Sequence, residues 1–157
     1  MTYQKGYTLI ELLIVVTITG ILITVGAGAY SRAQRRQTVK AATDTLLTAF
    51  QRAQKMSVIG DKDCSGTLTG YQVGFSSGGN TLTTTAICSG GSGTPNIENL
   101  GQVSFVNTST FIFRPLGQGV YINGADTGNA DFEVEGSDAT YRISIHKSGT
   151  IRYSGEI

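Results

Sequence analysis

The chain has 157 residues, of which 39% are hydrophobic and only 15% are charged. This length and composition favour one domain with a modest core and argue against two independent domains. The formal net charge of +1 does not by itself indicate an acidic or a basic partner. The charges are unevenly placed, because bases predominate over residues 32–55 and acids predominate from residue 63 to the end. The sequence therefore combines a basic N-terminal part with an acidic C-terminal part.

Residues 12–29 form an uncharged run that consists mostly of Leu, Ile and Val. At about 1.5 Å per residue, this run and its flanks are long enough to cross a hydrocarbon core about 30 Å thick. The run therefore predicts a transmembrane helix. A secretory signal peptide is the alternative, since the run is N-terminal and follows Lys5. We expect the anchor to be retained, because the run exceeds the usual apolar region of a signal peptide and continues into a helical pattern.

Glu11 stands at the start of the apolar run, with no cation beside it in the sequence. A carboxylate deep in a bilayer costs roughly 2.5–3.5 kcal/mol on insertion scales, so such residues are usually functional. Alternatively, Glu11 reaches the water of the headgroup region and is stabilised by the positive end of the helix dipole. The position of Glu11 alone leaves both interpretations open.

The string KGYTLIELLIVV at residues 5–16 resembles the processing site of type IV prepilins and type II secretion pseudopilins. The resemblance implies that a membrane aspartic prepilin peptidase cleaves after Gly6 and N-methylates the new terminus at Tyr7, where the family more often has Phe. Both reactions belong to the peptidase, so this chain would be a substrate and not an enzyme. The resemblance also implies that Glu11 pairs with the N-terminal ammonium of a neighbouring subunit, a strong attraction in a low-dielectric bundle.

On this resemblance the chain is a structural subunit of a type IV pilus or pseudopilus filament, with no cofactor. The implied partners are other copies of itself, related pilins, the prepilin peptidase, an inner-membrane assembly platform and, before assembly, the membrane. The implied location is the bacterial inner membrane with the head outside the cytoplasm, and then an extracellular or periplasmic filament. A positive-inside count opposes this orientation, because Arg32, Arg35 and Arg36 follow the span and only Lys5 precedes it. We follow the resemblance over the charge count.

After residue 30 the pattern becomes that of an amphipathic helix. No proline interrupts residues 7–59, so the sequence predicts one long helix that ends at Gly60. The predicted organisation is a leader peptide at 1–6, a transmembrane and assembly helix at 7–30, an amphipathic stem helix at 31–59 and a β-rich head at 60–157. The apolar positions that recur at helical spacing are Val39, Ala42, Leu46, Leu47, Ala49, Phe50, Ala53 and Met56.

The bases of the stem are numerous for a helix that merely leaves a membrane. They can lie near anionic headgroups before assembly, and they need other anions after extraction. We expect the stem bases of one subunit to meet acids in the heads or stems of its neighbours. The bases are Arg32, Arg35, Arg36 and Lys40, and the candidate acids of the head are Asp131, Glu133, Glu135 and Asp138.

Beyond Gly60 the composition shifts to Gly, Thr, Ser and Val, with short alternating runs bounded by turn residues. No helix-length crossover separates these runs, which favours an antiparallel sheet. The predicted fold class is α+β, a long N-terminal helix packed on an antiparallel β-rich head. The predicted strands are 71–75, 81–87, 102–106, 110–114, 131–134, 141–146 and 150–153, and the predicted loops include 76–80, 89–99 and 124–130.

The head also resembles the GspH/FimT group of minor pilins, through FRPLG at residues 113–117 and a closing hairpin at 143–151. Members of that group that bind DNA use a basic C-terminal tail, whereas this chain ends in RYSGEI. DNA binding by that route is therefore not expected. The alternative function is that of a minor or tip pilin whose head binds DNA, a surface or a secreted protein.

Cys64 and Cys88 lie in a polar region rich in Gly, Ser and Thr, which suggests a disulfide in an oxidising compartment, with two free thiols as the alternative. A zinc site needs more ligands than these cysteines and the single His146 supply. The stretch that begins at Asp61 starts like a calcium loop, but its twelfth position is Gln72 and not glutamate, so no metal site is expected. No nucleophile and carboxylate stand at a recognisable spacing from His146, so we predict no catalytic role for it.

Overall fold

The computed structural model describes residues 8–126 and 128–157. By internal contacts the chain divides into two compact units, Met1–Gln34 and Arg35–Ile157. The described residues form helix α1 (Leu9–Ile59), a 3-10 turn (Pro115–Gly117) and ten strands: β1 (Leu68–Phe75), β2 (Thr81–Cys88), β3 (Gly91–Ser92), β4 (Asn96–Asn99), β5 (Ser104–Phe105), β6 (Ser109–Phe113), β7 (Val120–Ile122), β8 (Asn129–Glu135), β9 (Thr140–His146) and β10 (Ile151–Glu156).

Helix α1 ends where the sequence predicted. Gly60 has a φ of 77°, a left-handed conformation that glycine adopts without strain, and its N–H donates to the Met56 carbonyl at 3.0 Å. This hydrogen bond satisfies one of the carbonyls left over at the helix end. The predicted apolar face is confirmed as well. Val39, Ala42, Leu46, Ala49, Phe50 and Ala53 are buried, and Leu47 and Met56 are partly buried against them.

The strands form two antiparallel sheets, where the sequence indicated only one. The first sheet has the strand order β3-β2-β1-β6-β7, with β4 also paired to β2, and the second has the order β10-β9-β8-β5. Several paired strands follow one another along the chain, whereas β1 pairs with β6 and β5 pairs with β8 across longer separations. The α+β class with a long N-terminal helix packed on antiparallel sheets is confirmed.

All seven predicted strands are present, although β5 is reduced to two residues. The prediction of a loop at 89–99 is wrong, because β3 and β4 lie within it and pair with β2. Strand β7 was missed, and β8 begins inside the predicted loop 124–130. The missed strands are two to four residues long and lack an extended apolar alternation, so backbone pairing to a neighbouring strand defines them and not their side-chain pattern.

The core of the second unit is centred on phenylalanine. All six phenylalanines of the sequence are buried. The Phe50 ring of α1 lies 5.3 Å from Phe111 of the first sheet and 5.7 Å from Phe132 of the second, measured between ring centroids. Such edge-on and tilted pairs are favourable beyond the area that they bury. Phe50 therefore joins the helix to both sheets.

The connection between β8 and β9 makes a close approach to α1 at Gly136. A Cβ atom at this position would collide with the Val39 side chain, so only glycine lets the turn approach the helix this closely. The turn also carries Asp138, which forms an ion pair with Arg35 of α1. The close approach and the ion pair together hold α1 against the β8–β9 turn of the second sheet.

Candidate functional site

The N-terminal part of α1 has an exposed apolar surface. Every residue from 8 to 30 is exposed, and the large side chains among them include Leu12, Ile14 and Leu22. A continuous apolar surface of this size marks a membrane or protein contact. By length and composition α1 contains a segment able to cross a membrane. The helix therefore fits a membrane anchor.

Three threonines in this segment are compatible with an apolar environment. The hydroxyls of Thr17 and Thr24 each donate to the carbonyl three residues earlier at 2.8 Å, and the Thr19 hydroxyl donates to the Val15 carbonyl at 2.7 Å. Each hydroxyl proton is thus satisfied within the helix itself. These residues add little to the cost of placing the segment in hydrocarbon.

Glu11 occupies the first turn of α1, together with a capping residue. The Glu11 backbone N–H donates to Thr8 Oγ1 at 3.3 Å, and Thr8 immediately precedes the helix. The spacing Thr-x-x-Glu is that of a capping box, and the hydrogen bond that Thr8 accepts is the threonine half of it. Sequence reasoning missed this N-cap at Thr8. No ion pair of the described residues includes the Glu11 carboxylate, and Gly6 and Tyr7 lie outside the described residues.

The bases that follow the apolar segment are partly neutralised within the chain. Arg35 forms an ion pair with Asp138, and Arg36 Nε lies 3.7 Å from Glu156 Oε1. These two pairs lie within one chain, so the sequence did not anticipate them. That the stem bases also meet acids of neighbouring subunits stays a prediction.

The predicted disulfide is present between Cys64 and Cys88. It ties the loop that follows α1 to the end of β2, and backbone hydrogen bonds support it. The Ser89 N–H donates to the Thr67 carbonyl at 2.9 Å, and the Gly90 N–H donates to the Ser65 carbonyl at 3.1 Å. The loop is thus fixed against the β2–β3 turn by covalent and polar contacts.

The same loop contributes to the lining of a cavity of about 360 Å³ beside α1. Asp61, Asp63 and Tyr71 contribute to its lining, and Arg52 contributes from the helix. Burial raises the pKa of the Tyr71 hydroxyl above its usual value, and the negative charges of Asp61 and Asp63 raise it further. That hydroxyl donates to the Asp61 carbonyl at 2.7 Å. Two acids of the loop thus face a base of the helix across this cavity.

His146 lies on the exposed face of the second sheet. Its Nδ1 is 2.8 Å from Ser148 Oγ, which in turn is 3.1 Å from Thr150 Oγ1. Among residues 8–126 and 128–157, no carboxylate forms a hydrogen bond with His146. These three side chains belong to a surface turn, and the described contacts of His146 form no nucleophile–base–acid arrangement.

Two arginines of the head, Arg114 and Arg142, form ion pairs with acids among the described residues. Arg114 donates to Asp126 Oδ1 at 3.2 Å, and its guanidinium lies 4.4 Å from the centre of the Tyr121 ring. Arg142 donates to Glu133 Oε1 at 2.7 Å. These pairs reduce the positive potential that a phosphate backbone would require.

In the part of the chain that the structure describes, no group of three or more His, Cys, Asp or Glu side chains could hold a metal ion. From Asp61 the chain leads through the disulfide-linked segment into β1. Asp63 instead accepts a hydrogen bond from the Thr94 N–H at 2.8 Å. Its carboxylate thus fixes the segment between β3 and β4.

Comparison with known proteins found no match among curated proteins and none among solved structures. One family model matches, that of the prokaryotic N-terminal methylation motif, over residues 1–27. The matched segment contains Gly6, Tyr7 and Glu11 and extends into the apolar part of α1. This motif is typical of structural proteins that are processed as prepilins. The chain therefore carries at its N-terminus the prepilin signal of type IV pilins and pseudopilins.

Proposed function

We propose that this chain is a structural subunit of a type IV pilus or pseudopilus filament. Prepilin peptidase cleaves the bond between Gly6 and Tyr7 and methylates the new terminus at Tyr7. The processed chain is then extracted from the inner membrane by the assembly platform and polymerises through α1. The observation that carries this proposal is the methylation motif at residues 1–27, which continues directly into an exposed apolar helix.

Before assembly the apolar part of α1 lies in the membrane, and the disulfide-bonded head lies outside the cytoplasm. A disulfide between Cys64 and Cys88 supports this orientation, because such bonds persist in oxidising compartments. After extraction the same apolar surface must be buried against other helices. Gly20, Gly26 and Gly28 support close helix contacts, since a Cβ atom at each would meet nothing within 4 Å in the chain itself.

The Glu11 carboxylate is proposed to bind the Tyr7 ammonium of a neighbouring copy during assembly. Either charge alone is costly in an apolar bundle, whereas the pair attracts strongly and fixes the axial position of one subunit against the next. The Thr-x-x-Glu spacing that begins at Thr8 supports a second proposed role for the Glu11 side chain, which is to complete the cap at the start of α1. The two roles make different demands, because capping accepts glutamine and ion pairing does not.

The experiment is co-expression of tagged variants with the wild-type chain and its filament system. Glu11→Gln keeps the capping side chain and removes the charge, whereas Glu11→Ala removes both. We expect cleaved precursor for both variants and a strongly reduced share of both in sheared filaments. Asp126→Asn, at an exposed carboxylate of the head that is not among the acids expected to meet neighbouring stems, is the matched control and should be incorporated normally.

Normal incorporation of Glu11→Gln with loss of Glu11→Ala would mean that Glu11 acts only as a helix cap. Absence of the wild-type chain from sheared filaments would refute the filament function itself. The share of each variant is measured by mass spectrometry of tryptic peptides from the filament fraction.

A further inference from the structure

The outer face of α1 in the second unit carries a mixed-charge stripe, which we define as Lys40, Asp44, Thr48 and Arg52. These residues are spaced by four, so they lie on one side of the helix, and all are exposed. The opposite side of the same helix packs into the core through Leu46, Phe50 and Ala53. The stripe is therefore a helix face that the described chain leaves uncovered.

A groove runs beside this stripe, between α1 and the edge strand β4. Its lower part has a volume of about 290 Å³ and is lined by Asp44, Thr45, Thr48, Ala49, Arg52 and Glu98. Its upper part is the cavity of about 360 Å³ described above, which shares Ala49, Arg52 and Glu98 with the lower part. The small side chains along the helix leave the groove open to an approaching partner.

The charged residues of the stripe are unpaired in the described part of the chain. Within residues 8–126 and 128–157, no ion pair includes Lys40, Asp44 or Arg52. Glu98 accepts a hydrogen bond from the Asn96 side chain of its own strand at 3.2 Å, and no ion pair involves it either. By contrast, Arg35 and Arg36, less than two turns below, are both paired with acids of the head.

The charges of the stripe and of β4 make one part of this surface complementary to another part of the same surface on a second copy. Asp44 and Glu98 line the groove, whereas Lys40 lies outside its lining, so Lys40 can meet those acids only on a second copy displaced along the helix direction. Contact between two different patches on identical chains is heterologous, and heterologous contacts that do not close into a ring produce open filaments. A second copy of this chain is thus the occupant that the charge pattern fits.

We propose that the groove between α1 and β4 is an interface between neighbouring copies, in which Lys40 of one copy binds the carboxylates of Asp44 and Glu98 of the next. This inference rests on the filament function proposed above and names the surface of the head through which copies meet. Lys40 and Asp44 are exposed and Glu98 is half-buried, so each pair is individually weak, but it recurs at every subunit along the filament.

The test uses filaments assembled from a mixture of unlabelled and ¹⁵N-labelled wild-type subunits. A carbodiimide joins an amine to a carboxylate only when the two are in direct contact. We expect cross-linked peptides that combine Lys40 of one isotope with Asp44 or Glu98 of the other. Lys40 cross-links that occur only within one isotope, or no Lys40 cross-links at all, would overturn the interface.

Charge reversal gives an independent readout. We expect the share of Lys40→Glu in filaments mixed with wild type to fall about three- to tenfold, since attraction at an exposed pair becomes repulsion. Combining Lys40→Glu with Glu98→Lys should restore assembly of filaments made from that variant alone. Lys55→Glu, at an exposed base of the same helix to which the proposal gives no contact, is the matched control.

An equal share for Lys40→Glu and Lys55→Glu would contradict the proposal, and so would failure of the combined reversal to exceed either single reversal. Thermal unfolding of each variant should match wild type, which separates assembly from folding. If wild-type chains are missing from the filament fraction, the filament function is wrong and this inference is overturned with it.

Discussion

Replacing Phe50 should show how strongly α1 is held to the head. The Phe50 ring is fully buried, and its centroid lies 5.3 Å from Phe111, 6.0 Å from Phe113 and 5.7 Å from Phe132. Phe50→Ala removes three ring contacts and leaves a cavity between two sheets and a helix. Substitutions of this kind cost about 3–5 kcal/mol in the free energy of unfolding. A domain of this size has a total stability of about 5–15 kcal/mol.

The assay is urea unfolding of the detergent-solubilised chain, followed by circular dichroism of the β-rich head. Phe50→Ala should lower the unfolding midpoint strongly, while Phe50→Leu, which keeps most of the apolar volume, should have a smaller effect. Ile97→Ala, at a side chain that is 63% exposed, is the control and should change the free energy by less than about 0.5 kcal/mol. A loss below about 1 kcal/mol for Phe50→Ala would refute the inference that this ring joins the helix to both sheets.

Three further outcomes follow from contacts in the second unit. Cys64→Ser with Cys88→Ser should lower the free energy of unfolding by ~3 kcal/mol in the chain-entropy model, because the bridge closes a loop with a sequence separation of 24; equal melting temperatures before and after reduction would contradict this. A double-mutant cycle on Arg35 and Asp138 should give a coupling below about 1 kcal/mol that decreases with salt, since both side chains are partly exposed; a coupling that is unchanged at high salt would exclude a solvated pair. Because burial raises the pKa of Tyr71, the unfolded state loses its proton first, so stability should fall as pH rises through about 10. Tyr71→Phe should weaken that dependence without removing it, because burial also raises the pKa of Tyr153, and an unchanged slope would show that Tyr71 does not contribute.

The elements with a strong periodic signal could be predicted from sequence. The long helix followed from the uncharged run at 12–29, the absence of proline and the helical spacing of the stem, and Gly60 marked its end. The longer strands followed from alternation. The division into two sheets could not be predicted, because it depends on which strands pair over long separations and on packing against Phe50.

The candidate site divides in the same way. The short motif around Gly6 and Glu11 was recognisable because its chemistry lies in adjacent residues. The intrachain pairing of Arg35 with Asp138 was not, since a charge in the sequence does not indicate which distant acid the fold brings near it. The groove between α1 and Glu98 was equally invisible, because β4 carries no strand pattern in its sequence and its position comes from pairing with β2.

The most direct test of the proposed function is the N-terminus of the subunit found in filaments. Top-down mass spectrometry of chains sheared from wild-type cells measures this terminus without any substitution. A processed filament subunit predicts a chain that begins at Tyr7, carries one N-terminal methyl group and retains the Cys64–Cys88 disulfide. Filament-incorporated chains that begin at Met1 would contradict the account.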